Sequence, residues 1–238
     1  MLGSIIDILF PPVCPACEKA VRDKGKPLCA SCEAGFSAIR IMRPICAVCG
    51  EPFISTTSGE HTCGPCLEQT PPFAMARSVY SYAGAALDAI HRFKYSNHLI
   101  LAPAFADMLL RAVGDMPFPD MDVIVPVPLH AGKLRQRGFN QSLLICRGIA
   151  KKLKVDLSYD NLVRAKATLP QVNLKAAERA KNLTGAFALR FAPAFKGKRI
   201  TIVDDVYTTG ATIKECSKVL KKAGAEVYAL TLARTVKL

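Results

Sequence analysis

The sequence predicts an α/β protein in two parts. A small cysteine-rich module over residues 1–70 precedes a domain over 71–238 built on a mainly parallel, doubly wound sheet. Three observations carry this. Eight of the ten cysteines fall within the first 66 residues, all in CxxC pairs. After Pro71-Pro72, short β-branched runs alternate with helix-periodic stretches, the pattern of strands covered by helices on both faces. Charge divides at the same point: residues 1–70 hold six Lys/Arg against seven Asp/Glu, and residues 71–238 hold 26 against 12.

The cysteine pairs are Cys14/Cys17, Cys29/Cys32, Cys46/Cys49 and Cys63/Cys66. A CxxC turn points two thiolates at one metal while nearby backbone N–H groups stabilise the sulfurs, and two such turns complete a tetrahedral four-thiolate site. Four pairs make two zinc sites. PVCPACEKA…LCASC is followed about 32 residues later by PICAVCGEP…TCGPC, and a repeated unit argues that each copy closes its own ring. Cys14, Cys17, Cys29 and Cys32 then hold one zinc, and Cys46, Cys49, Cys63 and Cys66 the other. A cross-braced pairing of first with third and second with fourth stays open. Disulfides need an oxidising compartment that the N-terminus does not announce, and thioredoxin-like chemistry uses a single CxxC on a strand-to-helix turn. Closed four-thiolate sites are structural and replace a core that about 30 residues cannot supply. Cys146 and Cys216 stand alone among apolar neighbours and read as core residues.

The opening MLGSIIDILFPPVC has a short apolar run, no basic start and no small-residue cleavage site. It reads as a helix over residues 2–10 rather than a signal peptide. No stretch reaches the roughly 18 apolar residues of a membrane span, so the expected location is cytoplasmic. Beyond residue 71, SVYSY (78–82) alternates as a strand. ALDAIHRFKY and HLILAPAFADMLLRAV read as helices and DVIVPVP (122–128) as a short buried strand. NQSLLICRGIAKKL (140–153) is a helix with one apolar face. Residues 164–183 lack periodicity and read as a mobile loop. FALRF, RITIVDD (199–205) and EVYALTLART are strands, and TIKECSKVLKKAG (212–224) is a helix ended by Gly224.

In such sheets ligands sit beyond the C-terminal strand ends, where the segments 126–139, 164–183 and 204–212 fall. Residues 126–199 carry 16 basic and three acidic side chains, so an anionic ligand or nucleic acid is expected there. The sharpest motif is ITIVDDVYTTGAT (200–212): a buried strand, two carboxylates, then a Thr/Gly turn opening a helix. The turn can wrap backbone N–H groups and the hydroxyls of Thr208, Thr209 and Thr212 around a phosphate at the positive end of the helix. Gly210 allows close approach. A carboxylate pair beside a phosphate is repulsive unless it has its own partners, and vicinal ribose hydroxyls are such partners.

This motif resembles the phosphoribosyl-diphosphate-binding motif of type I phosphoribosyltransferases. The resemblance implies that Asp204 and Asp205 contact ribose and that Tyr207, Thr208, Thr209, Gly210, Ala211 and Thr212 hold the 5-phosphate. VPVPLHAGKLRQRGFNQ (125–141) resembles the family's pyrophosphate loop, which assigns Arg137, Gly138, Lys133 and Arg135 to the diphosphate. RAKATLPQVNLKAAERAKNL (164–183) resembles the flexible loop of amidophosphoribosyltransferases, with Arg164, Lys166, Gln171 and Arg179 as candidates. A diphosphate leaving group implies Mg2+, held mostly through ligand oxygens and water. Over its full length, with FPPVCPAC, the paired zinc ribbons and FKY (93–95), the sequence resembles the ComF family of competence-associated proteins. That resemblance implies a type I phosphoribosyltransferase fold behind a double zinc ribbon, handling of incoming single-stranded DNA in the cytoplasm, and a helicase as partner.

Three functions follow. One is an enzyme in which a nucleophile displaces pyrophosphate from Mg-bound phosphoribosyl diphosphate, although no segment announces an acceptor pocket. A second is a non-catalytic adaptor on the same scaffold, binding single strands with Phe93, Tyr95 or Phe139 stacking on bases. The third is a regulator that senses phosphoribosyl diphosphate. Zn2+ held by four thiolates has a net charge of about −2, so the ribbons are poor phosphate binders alone. A 1–70 fragment is therefore expected to bind single-stranded DNA far more weakly than the full chain in a fluorescence-anisotropy titration, and equal affinities would refute the assignment.

Overall fold

The computed structural model describes residues 12–21, 28–53, 61–96, 98–166 and 183–236. The helix expected over residues 2–10 lies outside them, as do Gln171 and Arg179 within the expected loop.

Five strands form one parallel sheet in the order β1-β7-β6-β2-β3, where β1 is Met75–Ser81, β2 Val123–Pro126, β3 Asp156–Leu157, β6 Arg199–Tyr207 and β7 Glu226–Arg234. Strands β4 (Leu162–Arg164) and β5 (Phe187–Leu189) pair antiparallel as a separate ribbon. The doubly wound parallel sheet is thus present. Ile200, Ile202 and Val203 of β6 are fully buried, and Thr201 nearly so, as a central strand covered on both faces requires.

Helices α3 (Gly84–Tyr95), α4 (Leu101–Gly114) and α6 (Gln141–Leu153) pack on one face. Helix α7 (Ala211–Lys222) covers the other, burying Ile213, Cys216 and Leu220. This apolar stripe recurs at helical spacing. Cys146 and Cys216 are fully buried, in keeping with the core role read for them.

The ribbons straddle the sheet's edge. Helix α1 (Ala30–Ala38) and the first cysteine set join the α3/α4/α6 side, while the second set and helix α2 (Gly64–Glu68) join the α7 side. Between them the chain pairs along edge strand β1. Ile41 N donates to Val79 O (2.9 Å), Ser81 N to Ile39 O (2.8 Å) and Ala76 N to Val48 O (2.7 Å). An edge strand otherwise presents unpaired backbone groups; here the segment joining the ribbons satisfies them. His98 also meets Glu18 (2.7 Å), and Arg92 Nη1 donates to Ala16 O (3.1 Å), fixing the first ribbon to α3 and the turn after it. No helix among the described residues is long and apolar enough to cross a membrane.

Helices α4 and α6 approach closely at Gly148, where a Cβ would lie 2.6 Å from the Ala106 Cβ. Overpacking a core contact costs about 1–3 kcal/mol. Gly148→Val is expected to lower stability by that order in urea denaturation, even though valine has the better helix propensity.

Candidate functional site

Strand β2 leads outward to β3, and β6 leads outward in the other direction to β7, so the order reverses between β2 and β6. Ligands of doubly wound sheets bind at such a reversal, beyond the C-terminal strand ends. The pairing of β2 with β6 ends at Pro126 opposite Val203. Asp204 is the next residue of β6 and stands at the mouth of this crevice.

The chain after β2 is expected to be a loop. Part of it is instead helix α5, Ala131–Arg137. His130 caps it by accepting a hydrogen bond from Gly132 N at Nδ1 (3.2 Å), and Gly138 closes it at φ +81. The helix carries Lys133, Arg135 and Arg137. Asn140 then caps α6: its Oδ1 accepts from Ser142 N (3.0 Å) and Leu143 N (3.3 Å), and its Nδ2 donates to Val127 O (3.0 Å). This cap ties the post-β2 segment to α6 and directs Ser142 into the site.

Ser142 Oγ donates to Asp204 Oδ1 (2.9 Å), which also accepts from Asp205 N (2.9 Å). Burial and the neighbouring Asp205 charge push the Asp204 carboxyl up to about 7, against the opposing pull of Lys94 and Ser142. Asp205 is only 3% exposed. Its Oδ1 pairs with Lys94 Nζ (2.8 Å), while its Oδ2 is buried with no hydrogen-bond partner. Burial opposes the Lys94 ammonium, but Asp205 and then Asp204 more than compensate, so its pKa is raised. FKY thus places a counter-ion against the acidic pair. Neither Lys94 nor Ser142 belongs to the motif that marks the carboxylates. Only the charge of Lys94 amid apolar neighbours hinted at its role, and Ser142 gave no signal.

At the turn, Thr208 and Thr209 are exposed, and Thr209 Oγ1 accepts from Ala211 N (3.4 Å). Gly210 has φ +74, and a Cβ there would lie 2.2 Å from the Tyr207 hydroxyl, so only glycine fits. Thr212 sits half-buried in the first turn of α7. Tyr207 differs from the other turn residues: its side chain is 5% exposed and packs into the core on the α7 side.

Cations gather opposite. Partial desolvation and the charges of Arg164, Arg137 and Lys94 lower the Lys133 pKa. Arg164 lies in β4 and is lowered by burial against the attraction of Cys216 and Asp204. Lys166 is exposed at the end of the β4/β5 ribbon. Arg135 is exposed on α5. Arg137 lies over the Tyr95 ring, 5.3 Å from its centroid. Of the aromatic side chains expected to stack on bases, Phe93 is fully buried and Phe139 packs on it at 5.9 Å. Phe93 belongs to the core because α3 turns that face inward, and Phe139, in the bend before α6, is half-buried against it. Tyr95 is 66% exposed.

The cysteines form two clusters: Cys14 with Cys17, Cys29 and Cys32, and Cys46 with Cys49, Cys63 and Cys66. In each, the four sulfurs lie within 4.8 Å of one another. Consecutive CxxC pairs join, as the internal repeat predicts. Burial raises the Cys46 thiol, but N–H donors of Cys63 (3.3 Å) and Cys49 (3.4 Å) outweigh it and bring the pKa down to about 7. Four converging sulfurs, one of them already favoured as thiolate, fit structural zinc.

A parallel α/β sheet with paired acids at its switch point, behind two four-cysteine clusters, defines a phosphoribosyltransferase-type fold carrying a double zinc ribbon. Family comparison agrees: residues 5–70 match a double zinc ribbon domain and residues 140–236 a phosphoribosyl transferase domain. The chain is 33% identical over 236 residues to the DNA utilization protein YhgH of Escherichia coli K12, covering 96% of this chain and all of that one. It is 32% identical to competence protein F of Haemophilus influenzae over 84% of this chain and 86% of that one. Identity to competence protein ComFC of Bacillus subtilis is 28%, over 87% and 84%. The chain belongs to the ComF family.

A carboxyl raised above its ordinary range favours folding at low pH, and that contribution is lost as pH rises through the folded-state pKa near 7. Asp204→Asn keeps an acceptor for Ser142 and Asp205 N and removes the buried charge. It is expected to stabilise the protein by on the order of 1–3 kcal/mol at pH 8, with the gain shrinking towards pH 5, as read by thermal melts.

Proposed function

We propose that the protein binds 5-phosphoribosyl diphosphate with Mg2+ in the crevice between β2 and β6, and that this capacity serves the handling of DNA taken up during competence. The observation that carries the reading is the buried, unpartnered Oδ2 of Asp205 beside the largely buried Asp204. A buried carboxylate oxygen without a partner is costly, and vicinal ribose hydroxyls would supply two donors.

The 5-phosphate would lie in the turn of residues 207–212, on the first N–H groups of α7. Tyr207 would contribute through its backbone. Lys133, Arg137 and Arg164 would face the diphosphate, with Arg135, Lys166, Gln171, Arg179 and Gly138 as further candidates around it. Mg2+, bound mainly through ligand oxygens and water, would screen the diphosphate charge. If a nucleophile is brought to the anomeric carbon, that carbon–oxygen bond breaks and pyrophosphate leaves with its electron pair, its charge met by the same cations.

The names of the relatives support a setting in DNA utilization and competence. Single-stranded DNA and a competence helicase are the partners this setting suggests, and cytoplasm is the compartment. The division near Pro71-Pro72 would then separate a near-neutral zinc module from a basic ligand-binding domain. A second reading, a non-catalytic nucleic-acid adaptor, is favoured by the exposed Tyr95 beside Arg137, a pairing that can stack on a base while meeting a phosphate.

Calorimetric titration of the zinc-loaded protein with phosphoribosyl diphosphate and Mg2+ tests the first reading. Micromolar affinity is expected, lost in Asp204→Asn/Asp205→Asn and strengthening as pH rises through about 7, where Asp204 ionises. The absence of binding at any pH would transfer the weight to the adaptor, whose DNA affinity falls steeply with salt.

A further inference from the structure

Arg234 is the last residue of β7 and one of the most deeply buried large side chains, at 2% exposure. A buried guanidinium is expensive unless its donors are taken, and here the two terminal nitrogens lead into the second zinc ribbon while Nε is buried without a partner. Nη1 donates to the carbonyl of Cys49 (2.6 Å), the second ligand of the Cys46/Cys49 knuckle. Nη2 pairs with Glu51, two residues beyond it. The guanidinium lies over the Tyr207 ring, 4.9 Å from its centroid. The Tyr207 hydroxyl in turn fills the space in which a side chain on Gly210 would sit. Tyr207 is also the residue from which the turn departs, and Thr235 N donates to its carbonyl (3.0 Å).

The knuckle is held from below as well. Arg77 Nη2 donates to Ala47 O (3.0 Å), Ala76 N donates to Val48 O (2.7 Å), and a Cβ on Gly50 would lie 2.7 Å from Ala76 O. One continuous chain of contacts therefore runs from the metal-binding knuckle through Arg234 and Tyr207 to Gly210. The first ribbon instead docks on α3 and α4, on the opposite face of the sheet.

We propose that Arg234 is a positioning residue that makes the conformation of the 207–212 turn depend on metal in the second ribbon. A filled Cys46/Cys49/Cys63/Cys66 site fixes the carbonyl of Cys49 and the carboxylate of Glu51. These fix the guanidinium, and the guanidinium presses Tyr207 under Gly210. Loss of that zinc frees the knuckle, and the turn loosens. Loss of the first zinc leaves the turn unchanged. The part that says the turn holds a phosphate rests on the proposed function; the coupling does not.

Lysine at 234 keeps the charge but cannot donate to Cys49 O and Glu51 while lying flat on the ring. Hydrogen–deuterium exchange of full-length, ligand-free protein, with zinc content and melting temperature measured alongside, reads the turn directly. Arg234→Lys is expected to retain two zinc ions and to speed exchange over 207–212 about tenfold, with little change in α6. Cys63→Ser should reproduce that local effect, and Cys32→Ser, in the first ribbon, should not. Unchanged exchange in Arg234→Lys, or an equal response to Cys32→Ser, would overturn the coupling. Titration with phosphoribosyl diphosphate and Mg2+ then separates the two claims. Affinity in Arg234→Lys is expected to fall at least tenfold. A wild-type protein that does not bind it refutes the ligand while the exchange data still decide the coupling.

Discussion

The ion pair between Lys94 and Asp205 is the interaction around which the crevice is built. Strand β6 runs through the middle of the sheet, and its apolar stretch from Ile200 to Val203 is fully enclosed. Two acidic residues continue that strand before it emerges. A carboxylate as enclosed as Asp205 is tolerable only with a partner, so a cation has to reach it from another element. Lys94 does so from the last turn of α3, which fixes that end of the helix against the end of β6. The remaining needs of the pair set the other walls: Ser142 must enter from α6, and so the cap made by Asn140 must tie α6 to the segment after β2. The carbonyls, hydroxyls and cations of the crevice follow from placing two charges where a sheet of this kind would otherwise be dry.

Satisfaction is deliberately incomplete. Lys94 serves one oxygen of Asp205, and the other is left buried without a donor. Asp204 is held between its charged and neutral forms by competition among burial, its neighbour and its two hydrogen bonds. A site of this kind trades stability for the capacity to accept hydrogen bonds from a ligand, and perturbed, under-satisfied carboxylates are a recognised mark of functional positions. Lys133 on α5 lies within reach of the charges of Arg137, Arg164 and Lys94, and Arg164 on β4 within reach of that of Asp204; under the proposed function, a ligand bearing both hydroxyls and phosphates would meet complementary groups at both ends.

Much of this was legible in the sequence. The β-branched run of 200–203 announces a central strand, the CxxC repeat announces two four-sulfur clusters, and the DD–TTG sequence announces both the acids and the glycine that Tyr207 demands. What was hidden was either too short to show a period, held by local caps, or dependent on sequence-distant partners. The two-residue strand β3 is too short for alternation to show. Helix α5 has no apolar stripe, being held by the His130 cap and the left-handed Gly138. Phe93 and Phe139 read as candidate stacking surfaces because aromatic character says nothing about which side chains turn inward. Ser142 and Arg234 are ordinary residues of a helix and a strand until folding brings them beside Asp204 and Tyr207.

The edge of the sheet explains why the ribbons and the crevice belong to one chain. Strand β1 would be an open edge, and the segment joining the two ribbons pairs along it. That segment, residues 39–48, runs from the end of α1 to the Cys46/Cys49 knuckle and is held on β1 by these backbone hydrogen bonds. Closing the edge in this way also brings the end of β7, which lies next to β1, to the second ribbon, where Arg234 reaches Cys49 O. Arg234 at the end of β7 and Tyr207 at the end of β6 are therefore within reach of the knuckle as a consequence of strand order. A type I scaffold with its β1 edge covered by a helix would have no such route. Under the proposed coupling, the zinc module acts on the sheet through the backbone carbonyls of Cys49 and Ala47, by rigidity more than by charge.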